Sequence, residues 1–193
     1  YRMQAFRRNH GLRIDHILVS AALAAPVEEA RAYIPAQPTA HLDETGWWEK
    51  NRRSWLWVAT TASVAVFLVV RSRGKAIAQQ LLDGFKGTLV SDRWCGYNWM
   101  HVLRRQVCWA HLIREFEGFI DHGGKAKEIG ELLVAEAKMM FEWWHKARDG
   151  TIRRETFRKK MRPLMVEVER LLAVGAVGPN RKVAGTCHQI LKL

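Results

Sequence analysis

The sequence predicts an α+β fold: a mixed β-sheet followed by a helical hairpin. Three observations predict it. Residues 41–70 hold three consecutive runs rich in β-branched and aromatic side chains. Residues 75–120 alternate helical and extended patterns. After Gly123-Gly124 the apolar residues recur only at helical spacing.

Each element follows from its local pattern. Residues 41–48, 54–61 and 64–70 read as strands, the first two separated by the polar turn Lys50-Asn51-Arg52-Arg53 and the next two by Ala62-Ser63. The third run, Val64-Ala-Val-Phe-Leu-Val-Val70, is apolar at both alternating positions and is expected to be buried on both sides. A helix is predicted over 75–83, with Ile77, Leu81 and Leu82 inward and Gly84 closing it. Short strands follow at 87–92 and 105–109, the second running into a helix at 112–120. Residues 125–148 carry Ile129, Leu133, Ala137, Met140 and Trp144 on one face. Residues 152–174 carry Phe157, Met161, Leu164, Met165, Val168, Leu171 and Leu172, with Arg158, Lys159, Lys160 and Arg162 opposite. Pro163 is expected to kink or restart this helix, and Asp149-Gly150 to turn the hairpin. Upstream, a short helix is expected around 26–33 and a linker through Pro35 and Pro38. Three antiparallel strands, a helix and two further strands match the RNase H-like order.

The chain has 193 residues, enough for one sizeable core. Its longest apolar stretch, 62–70, is about half of what a membrane-spanning helix needs, and Arg2, Arg7 and Arg8 precede no sustained apolar region. Three cysteines, Cys95, Cys108 and Cys187, without a C-x-x-C pair favour reduced thiols in a cytosol over a disulfide framework. The net charge of +12 favours a polyanionic partner, foremost nucleic acid.

Two acids stand where chemistry is expected. Asp43 lies inside the first strand and Asp92 ends the fourth, strands that neighbour each other in an RNase H-like sheet. Two carboxylates held close favour a cation between them, and Mg²⁺ takes such oxygen ligands. The competing reading is two ordinary polar residues at strand ends. Glu44 must face the opposite side from Asp43 by the two-residue period, as a surface or supporting acid. Cys108 and His111 have zinc-ligand spacing, with Cys95 and His101 nearby. Against zinc stand a structural histidine and a phosphate contact at His111. The nine tryptophans suit core packing or stacking on unpaired bases. Arg158 to Arg162, with Arg153 and Arg154, suit phosphate contacts or a plain solvated face.

Residues from about 22 to 193 resemble the catalytic region of insertion-sequence family 66 transposases. The likeness is carried by His41-Leu-Asp-Glu-Thr-Gly-Trp47, Ser54-Trp-Leu-Trp-Val58, Ser72-Arg-Gly74, Gly87-Thr-Leu-Val-Ser-Asp92, Cys108-Trp-Ala-His111 and the stretch 157–172 with Met161-Arg-Pro-Leu164. It implies a DDE-type enzyme, with Asp43 and Asp92 as the first two acids of a metal-binding triad. It further implies Mg²⁺ or Mn²⁺ as a two-metal cofactor of the complete enzyme, transposon-end and target DNA as partners, and homo-oligomerisation. Hydrolysis and strand transfer would be the chemistry, in the bacterial cytoplasm at the nucleoid. Arg93, His111, Arg158, Lys159 and Arg162 are the expected DNA contacts. In the family the third acid follows the helical insertion in an Asn-rich segment; Glu115, Glu117, Glu155, Glu167 and Glu169 do not match it. A chain that starts at Tyr1 and ends at Leu193 is thus expected to be a fragment, inactive alone.

The first 23 residues resemble something else. Ala5-Phe-Arg-Arg-Asn-His-Gly-Leu-Arg-Ile-Asp-His-Ile-Leu-Val-Ser20 is similar to the late part of exonuclease III-type AP endonucleases, where Asp15 would match the aspartate that pairs with the catalytic histidine and Asn9 lies in the same motif. No Ser-Asp-His motif follows, so Asp15 and His16 are expected to be idle. The organisation expected is an exonuclease-like remnant (1–23), a short helix and linker (24–40), an incomplete RNase H-like core (41–123) and a helical insertion (124–193). The rival to a transposase fragment is a non-catalytic DNA-binding or oligomerising remnant.

Overall fold

The computed structural model describes residues 32–49 and 51–192. The expected N-terminal remnant and most of the 26–33 helix lie outside them. Five strands, β1 (Thr39–Glu49), β2 (Arg52–Thr60), β3 (Ala65–Val70), β4 (Thr88–Ser91) and β5 (Arg105–Val107), make one mixed sheet in the order β3-β2-β1-β4-β5. Five helices are described: α1 (Lys75–Leu81), α2 (Trp109–Ile120), α3 (Gly124–Arg148), α4 (Arg154–Ala176) and α5 (Arg181–Ile190). The chain divides into two compact units, with the boundary between Leu89 and Val90, inside β4.

In the first unit β1 and β2 form an antiparallel hairpin in which Asp43 lies opposite Val58 and Glu44 opposite Trp57. Asn51 turns it at φ 63°, a left-handed value asparagine tolerates better than most residues. The two-residue period sorts β1 sharply. Ala40 and Leu42 are buried, whereas His41, Asp43 and Thr45 are exposed. Trp57 and Ala59 join the buried set on β2, and Val66, opposite Ala59, does so on β3. Ala78, Leu81, Leu82 and Phe85 are also buried, on α1 and the turn after it. Trp57 is completely enclosed, and its indole N–H donates to the Ser72 carbonyl at 3.0 Å, so burial leaves no polar atom unmatched there. Gly87 is required by a close approach. A Cβ there would stand 2.5 Å from the Pro38 carbonyl, the group to which the Thr88 N–H donates at 2.9 Å.

β3 departs from the sequence expectation. Only Val66 is buried, and Val69 is 45% exposed. Among the described residues β3 ends the strand order, paired with β2 on one side only.

The second unit is mostly helical. Leu112, Phe116 and Phe119 of α2, Ile129 and Leu133 of α3, Val168, Leu171 and Leu172 of α4, and Val183 and Cys187 of α5 share one core. Full burial of a side chain such as Phe116 contributes about 1.5–3 kcal/mol. The α3–α4 hairpin forms as expected, with the Ile152 N–H donating back to the Lys146 carbonyl at 3.2 Å. Three expectations change here. α4 runs unbroken through Pro163, so the helix does not restart there, and the proline lies on the exposed side, where the missing N–H and the ring disturb packing least. Met165 and Trp144, placed on the apolar stripes by sequence, are 42% and 43% exposed because they fall at the stripe margins. β5 ends at Val107, and α2 already begins at Trp109.

Candidate functional site

Asp43 sits in the middle of β1 on its exposed face. Its Oδ1 accepts the Glu44 N–H at 3.0 Å, which ties the carboxylate to the strand. The neighbouring acid behaves oppositely. The Glu44 side chain is 0% exposed, and its Oε1 accepts from Arg73 Nε at 2.8 Å. Of the two expected roles, surface or supporting acid, the surface one is excluded: the buried face of β1 is the one Glu44 shares with Leu42. Arg73 lies just before α1, and its guanidinium also stacks on Trp55 at 4.9 Å, with Arg53 over the same ring at 4.7 Å. Sequence reasoning quoted Arg73 within Ser72-Arg-Gly74 but gave it no role. Its place in the polar link Arg71-Ser-Arg-Gly74 between two apolar elements was the available signal.

Asp92 follows β4 in the second unit and is half-buried. Its Oδ1 accepts the Trp94 N–H at 2.9 Å, and its carbonyl accepts from Arg105 Nη2 at 3.1 Å. Arg105 was missed by sequence reasoning, though it opens the strand predicted beside Asp92. It also donates from Nη1 to Asn98 Oδ1 at 2.7 Å and lies 5.9 Å from the Tyr97 ring. Burial lowers the Arg105 pKa, and the nearby Asp92 opposes that shift.

Both aspartates therefore have one carboxylate oxygen oriented by a backbone N–H. An oxygen donor set of this kind fits Mg²⁺ or Mn²⁺ better than a softer metal. Among the described residues no group of three or more His, Cys, Asp or Glu side chains is placed to hold a metal ion. That removes the four-ligand zinc arrangement of Cys95, His101, Cys108 and His111. His101 instead accepts the Leu103 N–H through Nδ1 at 3.2 Å, and Cys95 is exposed. Cys108 and His111 do meet: a hydrogen bond from His111 is the main cause of a lowered Cys108 thiol pKa.

The expected DNA contacts divide into two groups. Arg93 is only 15% exposed, and its Nη atoms donate to Gln189 at 3.2 Å and Glu115 at 2.9 Å, which ties β4's end to α2 and α5. Arg158, Lys159 and Arg162 stand exposed on α4. Of these, Lys159 pairs with Glu155 one turn earlier at 3.0 Å, a fully solvated contact of small energetic weight.

A model of the family described as Transposase IS66 family matches residues 1–192. The chain belongs to that family. The match starts at residue 1, so it takes in the segment read from sequence as exonuclease III-like, and no finding supports that second likeness. No curated protein matches this IS66-family chain. Among its described residues no helix is long and apolar enough to cross a membrane.

Proposed function

We propose that this IS66-family chain carries part of the catalytic centre of a DDE-type transposase, an RNase H-like enzyme acting on DNA in transposition. The observation that carries the reading is the family match over residues 1–192; Asp43 and Asp92 lie within that span, in the motifs that the resemblance gives to the acids. A divalent metal, Mg²⁺ or Mn²⁺, would supply activation of the attacking oxygen and stabilisation of the leaving one in phosphodiester hydrolysis and strand transfer. Asp43 and Asp92 would hold it. Their orienting N–H bonds keep each carboxylate in one rotamer, which lowers the entropy lost on binding. Arg105 keeps positive charge beside Asp92 and braces its carbonyl.

DNA is the proposed partner, contacted by the exposed cations Arg158, Lys159 and Arg162 and by Arg93 and His111. Self-association and a place at the bacterial nucleoid belong to the same reading.

Titration calorimetry with MnCl₂ tests it. Asp43→Ala and Asp92→Ala should each weaken binding about tenfold or more, whereas Asp83→Ala, an exposed control on the turn after α1, should bind like the parent. Parent-like Mn²⁺ affinity in Asp43→Ala leaves the non-catalytic, DNA-binding remnant as the better account.

A further inference from the structure

Nine lysines and arginines but only three acids fall within residues 138–162, so this stretch holds half of the chain's net charge of +12. The structure folds it into one small region, the end of the α3–α4 hairpin. Here the last turns of α3 carry Lys146 and Arg148, and the first turns of α4 carry Arg154, Arg158, Lys159 and Lys160, all exposed. Like charges gathered this way repel one another, so the arrangement costs stability unless an anion occupies it.

Trp143 organises the centre of the cluster. Lys146 Nζ of its own helix lies 4.6 Å from the indole centroid, and Lys160 Nζ of the opposite helix lies 4.9 Å from it. One aromatic ring thus meets two ammonium groups, one from each helix. Cation–π attraction contributes about 0.5–1 kcal/mol at an exposed position. Beside it Trp144, 43% exposed, carries Arg148 over its ring at 5.1 Å. The acids nearby answer only part of this charge: Asp149 pairs with Arg148 at 2.8 Å and Glu155 with Lys159 at 3.0 Å.

We propose that the end of the α3–α4 hairpin is a DNA-backbone-binding arm, in which Lys146 and Lys160, both held by Trp143, each receive a backbone phosphate. The occupant is DNA because phosphodiesters recur along a strand and match a cluster of charges spread over two helices, and because the proposal rests on the transposase reading. Trp143 is a positioning residue: it holds the two lysine ammonium groups beside its ring without itself meeting the phosphates.

The experiment is fluorescence anisotropy of a labelled 25-base-pair duplex with the full chain, in a KCl series. Lys146→Ala with Lys160→Ala should flatten the slope of log K against log[KCl] by about 1.8, at roughly 0.9 per lost phosphate contact. Lys125→Ala with Lys182→Ala removes equal charge from exposed positions elsewhere and should keep the parent slope. Trp143→Phe should retain most of the affinity and Trp143→Leu should lose it, with helical circular dichroism unchanged in both. A parent-like slope in the Lys146/Lys160 variant, an equal loss in the control pair, or no DNA binding by the parent overturns the proposal. Because Mn²⁺ titration reads Asp43 and Asp92 alone, failure of the arm and failure of the metal site remain distinguishable.

Discussion

The buried pair of Glu44 and Arg73 makes a quantitative test of how β1 is built. Arg73→Met leaves a carboxylate that is 0% exposed without its 2.8 Å guanidinium contact. Removing one partner of a buried pair costs about 3–5 kcal/mol. Arg73 is itself 40% exposed, so water already reaches that end, and the figure falls to about 2–3 kcal/mol. Glu44→Gln is the milder change. Its amide oxygen still accepts from Arg73 Nε, and the cation left behind is partly solvated, so the loss is about 1 kcal/mol. The double variant should be less destabilised than the sum of the singles, because the two side chains are in direct contact and the same interaction is lost in each. Urea denaturation followed by tryptophan fluorescence reads this through Trp55 and Trp57. With a slope of about 2 kcal/mol/M, Arg73→Met should lower the midpoint by about 1 M. If Glu44→Gln costs as much as Arg73→Met, or the two effects simply add, the pair is not what stabilises this end of β1.

Gly130→Ala should destabilise by about 1–3 kcal/mol in thermal melts, since a Cβ there would stand 2.7 Å from the Phe116 carbonyl where α2 meets α3. Pro163→Ala should stabilise by about 1 kcal/mol in the same assay, because α4 already runs through an exposed position that lacks an N–H. Cys108 should be alkylated by iodoacetamide faster in the parent than in His111→Ala at pH 7.5, because the imidazole hydrogen bond favours the thiolate and so lowers its pKa. Cys187 should resist alkylation there. Burial pushes its thiol up to about 11, so its share of stability is intact below pH 9 and is lost as pH rises towards 11. Mass spectrometry of the modified peptides reads both.

Strand and helix positions were legible wherever one periodicity dominated. The sequence pattern predicted strands at 41–48 and 54–61, and β1 and β2 span Thr39–Glu49 and Arg52–Thr60. β3 shows where pattern stops informing. Val64 to Val70 is apolar at both alternating positions, which describes a central strand and an edge strand equally well; only neighbour order decides, and that is a tertiary fact. Alternation correctly set Glu44 opposite Asp43, yet did not say which face is covered. Covering depends on the apolar residues packed there, and the neutralising Arg73 stands 29 residues away in sequence. The brace from Arg105 to the Asp92 carbonyl was hidden for the same reason, being a contact across a loop of two short 3₁₀ turns, Cys95–Tyr97 and Val102–Arg104.

The opposite fates of Asp43 and Glu44 bear on which acid can do chemistry. A carboxylate enclosed with an arginine has its charge already answered, and drawing it onto a metal would strip Arg73 of its partner. Asp43 instead lies on the exposed face, where solvent and cations reach it, with its Oδ1 oriented by the Glu44 N–H. Glu44 therefore fixes the strand, and Asp43 stands on the other face. The division follows from a period of two and from one buried side, so a one-residue slip of β1 against β2 would exchange the two roles. The register that sets Asp43 opposite Val58 and Glu44 opposite Trp57 is thus as necessary to the site as the acid itself.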